Sequence, residues 1–157
     1  MRKLLSGGLV FFAGIVSPVA VCTRQIPATP APDYRNDSRF QALSRFFDKL
    51  DCPAREYVAV FLEAADDFNL DWRLLPSLSY VESTGGKAAR NNNLFGWDSG
   101  RAQFSSPEAG IHEVAYYLAN SPLYRAKNLD GVLATYNPDT EYAQKVKSVM
   151  RRIAPVQ

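Results

Sequence analysis

The sequence predicts a mostly helical (α+β) domain with one small β insertion. Three observations carry this reading. Apolar residues recur at spacings of three and four along most of the chain after residue 37. Side chains suited to helix caps stand just ahead of those runs. One stretch, residues 87–105, breaks the helical period and is rich in Asn, Gly and Ser.

The elements follow in order. Asp37 caps a helix whose inner face is Phe40, Leu43, Phe46, Phe47 and Leu50. Pro53 opens a second, with Tyr57, Val58, Phe61, Leu62, Ala65 and Phe68 on one face. Asp71 caps a third, apolar on most sides, that runs through Leu74, Leu75, Leu78 and Val81 to Glu82. Pro76 inside it is expected to cost one hydrogen bond and to add a kink. Gly85 and Gly86 end it. Leu94 to Trp97 and Ala102 to Ser105 are expected as two short strands joined by a turn at Asp98-Ser99-Gly100-Arg101. Ser106 caps the next helix, with Pro107 at its first position and Glu108 at its positive end. A helix near Leu129 to Tyr136 follows. Pro138 opens the last, where Tyr142, Val146, Val149, Met150 and Ile153 face inward.

The chain of 157 residues suffices for one domain. Residues 1–22 have the order of a secretory signal peptide: Arg2 and Lys3, an apolar run from Leu4 to Val16, then Pro18 and small residues. The alternative is an uncleaved N-terminal anchor, the one route by which a membrane is expected to be involved. Val19-Ala20-Val21-Cys22 resembles a bacterial lipoprotein box, with Val21 larger than that box prefers. Residues 23–36, with Pro27, Pro30 and Pro32, read as a linker, and 37–157 as the folded domain.

Removing Arg2 and Lys3 from 18 basic residues leaves 16, equal to the 16 acidic ones. A neutral domain gives no electrostatic reason to bind nucleic acid. Two cysteines and one histidine, His112, do not make a structural zinc site, and no metal or cofactor is expected. Cys52 reads as a small buried apolar residue. Lys145, Lys147, Arg151 and Arg152 read as a solvated basic face.

Glu82 is the candidate for chemistry. A carboxyl group held against apolar neighbours resists ionisation, because water no longer solvates its anion, and a negative charge is unfavourable at a helix C-terminus. Such a group can give a proton to a leaving oxygen. Beyond it lie Ser83, two glycines and Asn92-Asn93-Leu94-Phe95-Gly96-Trp97, whose amides suit sugar hydroxyls and whose aromatic planes suit a pyranose face. Trp97 reads equally as a sugar platform or as a cover for the hairpin.

Tyr80-Val81-Glu82-Ser83 with its glycines, Asn92-Asn93-Leu94-Phe95-Gly96, Ser106-Pro107-Glu108-Ala109-Gly110-Ile111, Thr135-Tyr136-Asn137-Pro138 and Tyr142-Ala143 occur here in one order. Together they resemble the bacterial glucosaminidase and lytic transglycosylase branch of the lysozyme-like superfamily, over roughly residues 55 to 155. The resemblance implies a lysozyme-like helical domain with a β-hairpin beside a groove for peptidoglycan glycan strands. It implies Glu82 as general acid and Tyr136 beside it as the second catalytic residue. It places Ser83, Asn93, Phe95, Gly96, Trp97 and Asn137 along the substrate. The implied protein is an exported monomer of the periplasm or cell envelope.

Hydrolysis by two carboxylates needs a partner across from the acid. Asp98 is the acidic residue of the insertion and Glu108 the next, and each has a sufficient structural role in a turn or at a helix N-terminus. Transglycosylation needs no such partner. A non-catalytic peptidoglycan-binding module is the alternative.

Overall fold

The computed structural model describes residues 32–155; the expected leader and most of the expected linker lie outside the described residues. Six α-helices follow one another: α1 (Ser38–Lys49), α2 (Val58–Asp67), α3 (Leu74–Ser83), α4 (Pro107–Asn120), α5 (Leu129–Tyr136) and α6 (Thr140–Ile153). The domain is mostly helical, as the periodicity predicts. Short 3-10 turns at Tyr34–Asn36 and Pro53–Tyr57 precede α1 and α2.

The expected caps Asp37 and Ser106 accept from backbone N–H groups in the first turns of α1 and α4, whereas the expected cap Asp71 lies ahead of α3, whose N-cap is Arg73. Asn128, which the sequence reading did not name, caps α5, and Asp139, one residue past the expected Pro138, caps α6. Pro76 costs nothing. The helix begins at Leu74, so Pro76 sits in the first turn, where a backbone N–H has no helical partner to lose. Pro53 opens a 3-10 turn rather than α2 itself.

The β-hairpin is not formed. Among the described residues there is no strand, and the expected strand region holds turns, with a single isolated bridge from Arg90 to Asn93 beside it. The reason is backbone conformation. Asn91, Asn92, Gly96, Asp98, Ser99 and Gly100 all have positive φ, from 52° to 79°. Left-handed residues turn the chain at each occurrence, so no run is long enough to pleat.

Apolar faces of all six helices meet in one core. Phe47, Phe61 and Phe95 are fully buried at its centre, with Phe47 stacked on Phe61 and Phe61 edge-on to Phe95. Helix α3 packs along α6, and α2 along α4. Cys52 is buried as expected, and its thiol is pushed up by that burial.

The end of the predicted linker belongs to the fold. Tyr34 is buried and its hydroxyl donates to Asp66 Oδ2 at 3.0 Å. Arg39 joins the same cluster, reaching Asp66 at 2.6 and 2.9 Å and Asp37 at 2.8 and 2.9 Å. The Arg39 guanidinium holds both carboxyls below the usual aspartate value of 3.8. Depressed carboxyl values stabilise the fold above 3.8 and lose that contribution as pH falls through the folded values. Arg39→Ala is therefore expected to cost about 1 kcal/mol at neutral pH, given the partial exposure of the cluster. Denaturant melts of the variant and wild type should differ at pH 7 and converge as pH falls below 3.8 and the two carboxylates protonate.

Candidate functional site

Glu82 occupies the last turn of α3, which ends in a left-handed residue, Thr84 (φ 54°), and continues through Gly85 and Gly86. The N–H groups of Thr84 and Gly85 donate back to the carbonyls of Tyr80 and Ser79. The helix therefore stops at Ser83 and leaves Glu82 half-buried at its lip.

Ser83 and Asn93 fix the turns opposite Glu82. Ser83 Oγ is 3.0 Å from the Ser79 carbonyl and 2.8 Å from the Leu94 carbonyl, and it accepts from Gly86 N–H. Asn93 Nδ2 donates to the carbonyls of Trp97 and Ala102, and its Oδ1 accepts from the N–H groups of Phe95 and Trp97. Both side chains are buried and their hydrogen-bonding capacity is spent on the protein. They shape the loop and do not line a groove. The Phe95 ring is likewise in the core, since Ser83 and Asn93 pull its backbone inward. The sequence reading of these three as substrate-contacting side chains is corrected accordingly.

What Phe95 offers is its carbonyl, which accepts the Tyr136 hydroxyl at 2.5 Å. Tyr136 ends α5 and packs parallel to Tyr142 of α6, with ring centres 5.9 Å apart. The Tyr142 hydroxyl donates to Glu82 Oε1 at 2.7 Å. Glu82 Oε2 accepts no hydrogen bond from the described residues and lies against Gly96, where a Cβ would approach it to 2.7 Å. Gly96 has φ +60°. Both facts require glycine: the backbone is left-handed and the carboxylate needs the space.

Burial pushes both phenols up, and the Glu82 charge adds to that effect for each. At physiological pH both are neutral donors. The partner of Glu82 is thus Tyr142, which the sequence reading placed among the inward-facing residues of α6 and in the closing Tyr142-Ala143 motif but gave no role beside the acid. The signal was present: a tyrosine among aliphatic core positions needs a partner for its hydroxyl.

From Gly96 the surface opens into a groove of about 510 Å³, walled by Trp97, Ser99, Leu123, Tyr124 and Tyr136. Trp97 is half-buried, edge-on to Tyr136 at 5.7 Å and stacked on Tyr117 at 5.8 Å. Asn137 caps α5 from outside the groove, its Oδ1 accepting from Asp139 N–H. Asp98 borders the groove but faces solvent and pairs with Arg101 at 2.7 Å. The backbone N–H at Glu108, and then the Ser106 side chain, hold the Glu108 carboxyl below its usual range in the first turn of α4.

His112 stands apart, 3.8 Å from Glu63. The expected basic face is dispersed: Lys145 pairs with Glu141, Lys147 with Asp130, and Arg152 covers the rings of Phe46 and Tyr80. Among the described residues no cluster of His, Cys, Asp and Glu is arranged to hold a metal ion. The site can therefore present one carboxyl group, oriented by a neutral phenol, at the end of an aromatic groove.

A scan of the chain against protein-family models finds no match, and a search among curated proteins finds no significant relative.

Two predictions follow from this geometry. Gly96→Ala meets both a left-handed backbone and the Glu82 carboxylate, so it is expected to destabilise by about 1–3 kcal/mol, measured by denaturant unfolding. The raised phenols predict alkaline weakening. Above pH 10 the unfolded chain releases protons that folded Tyr136 and Tyr142 retain, so stability should fall as pH rises from there. Absorbance titration should show two tyrosines that ionise only on unfolding, and Tyr142→Phe should remove one of them.

Proposed function

We propose that this protein cleaves the glycan strands of peptidoglycan, with Glu82 as the acid that protonates the departing glycosidic oxygen. The observation that carries the reading is the arrangement at the end of α3. One oxygen of Glu82 is fixed by Tyr142 while the other, over Gly96 beside an aromatic groove, has no hydrogen-bond partner among the described residues. An oriented proton donor next to a surface suited to pyranose rings is what glycosidic cleavage requires. The ordered motifs around Glu82, Asn93, Tyr136 and Tyr142 support placing the domain in the lysozyme-like class, in its glucosaminidase and lytic transglycosylase branch.

Within that branch, transglycosylation is the better fit. The two acidic side chains that follow it in the chain are engaged elsewhere, Asp98 with Arg101 and Glu108 at its helix N-terminus. One carboxyl group suffices if it acts twice. Protonated Glu82 gives its proton to the glycosidic oxygen as the bond to C1 breaks. The resulting carboxylate then takes the proton of the substrate's own C6 hydroxyl as that oxygen closes on C1, which yields a 1,6-anhydro end and restores the acid. Tyr142 holds the carboxyl in place through both steps, and Tyr136 fixes the Phe95–Gly96 backbone beneath it. Glucosaminidase hydrolysis would deliver water to C1 instead.

The leader and the cell-wall substrate fit an exported protein of the periplasm or cell envelope. The same absence of an acidic partner for Glu82 favours, as a second reading, a module that binds the glycan without cutting it.

Incubation of purified protein with cell-wall sacculi tests the proposal. Wild type is expected to release soluble muropeptides with anhydro ends, identified by mass. Glu82→Gln should lower the release rate by about a hundredfold or more, the usual contribution of a general acid. Equal rates for the two proteins would refute it. Reducing ends would assign hydrolysis, and retention on sacculi with no release by wild type would assign the binding module.

A further inference from the structure

The groove beside Glu82 does not end at Trp97. Among the described residues, the large hydrophobic side chains that stand exposed are Tyr116, Tyr117 and Leu123, at 52, 40 and 64% exposure. All three belong to one edge of the molecule. Leu123 walls the groove itself. Tyr117 stacks on Trp97, and Tyr116 meets Tyr117 edge-on at 5.9 Å. Phe68, which follows the last residue of α2, meets Tyr116 edge-on at 5.9 Å. An unbroken aromatic row thus runs from Tyr142 through Tyr136, Trp97 and Tyr117 to Tyr116, and its outer members lie on α4.

Burial does not account for the outer part of this row. Tyr116 and Tyr117 are adjacent on α4 and point to neighbouring sides of it, while the inner stripe of the helix is Ile111, Val114, Ala115 and Leu118. Two exposed tyrosines braced from behind by Phe68 and Trp97 are held rigid at the surface. Their rings offer flat apolar area with a hydroxyl at the rim, which suits a sugar ring that carries hydroxyls around a C–H face. The row joins the groove at Trp97 and Tyr136, and the groove meets Glu82 at Gly96.

We propose that Tyr117 and Tyr116 form a distal saccharide subsite that binds a polymeric N-acetylated glycan several rings away from the bond that is cut. This rests on the reading of Glu82 as a glycan-cleaving acid. Its consequence is a preference for chain length: strands long enough to reach α4 are held and cut better than short fragments, which contact only the groove.

The test combines binding with turnover in the full chain. Tyr116→Ala/Tyr117→Ala in the Glu82→Gln background is expected to bind sacculi about tenfold more weakly than Glu82→Gln alone, the scale of a lost aromatic contact. In the active background the double variant should release muropeptides from sacculi correspondingly slowly, yet cleave a short soluble glycan of a few N-acetylated sugars at the wild-type rate. Tyr117→Phe, which keeps the ring, should retain wild-type binding, and it serves if the double variant melts at lower temperature. Equal sacculus binding with and without the two rings overturns the distal subsite and leaves the chemistry at Glu82 standing. Release by Glu82→Gln at the wild-type rate overturns the cleavage reading and the subsite with it. An equal loss on short and long substrates also overturns the subsite, because it would mean that the rings act on the groove rather than beyond it.

Discussion

One approach governs this structure: the carboxyl group of Glu82 lies directly against the backbone at Gly96, with room for a hydrogen atom and nothing larger. That contact brings the end of α3 and the turn-rich loop together. Everything nearby serves to hold it. Ser83 joins α3 to the Leu94 carbonyl, Asn93 gathers four backbone groups of the loop, and Tyr136 reaches across from α5 to the Phe95 carbonyl. The Tyr142 hydroxyl from α6 then fixes the carboxyl from the other side. Four separate segments are committed to the position of one side chain.

The loop that carries Gly96 achieves this without a sheet. A hairpin would satisfy its own backbone by laddered pairing. Here the polar groups are met by buried Asn93 and Ser83 and by short-range turn bonds, such as Gly100 N–H to the Gly96 carbonyl at 2.8 Å. Asn92 completes the arrangement by donating to the Phe104 carbonyl, while Phe104 N–H returns to Asn91. A core of amide side chains makes the loop compact and lets its backbone turn several times in ten residues, which a pleated pair does not allow.

These facts explain what the sequence disclosed and what it withheld. Helix positions were legible because three-and-four periodicity and cap residues are local signals, as at Asp37 and Ser106. The position of Glu82 was legible for the same reason, since the apolar run before it and the glycines after it fix a helix end. Asn93, Ser83 and Phe95 were singled out correctly as a unit but assigned to the wrong neighbour. Their residue types suit a sugar as well as they suit a backbone, and only the fold decides which is within reach. The partnership of Glu82 with Tyr142 spans 60 residues and has no local signature. The hairpin was misread because Asn, Asp and Ser accept left-handed backbone in a way that glycine alone would advertise.

The turn after α3 has one more consequence, for Cys52. Its sulfur lies where a methyl group on Gly85 would stand, at 2.9 Å, and the Phe47 ring closes the other side. Among the described residues it is the one free thiol, and it is buried. Gly85 and Phe47 close over that sulfur beside the surface cleft that Cys52 lines, so the rate of its alkylation is expected to respond to changes in the very turn that presents Glu82.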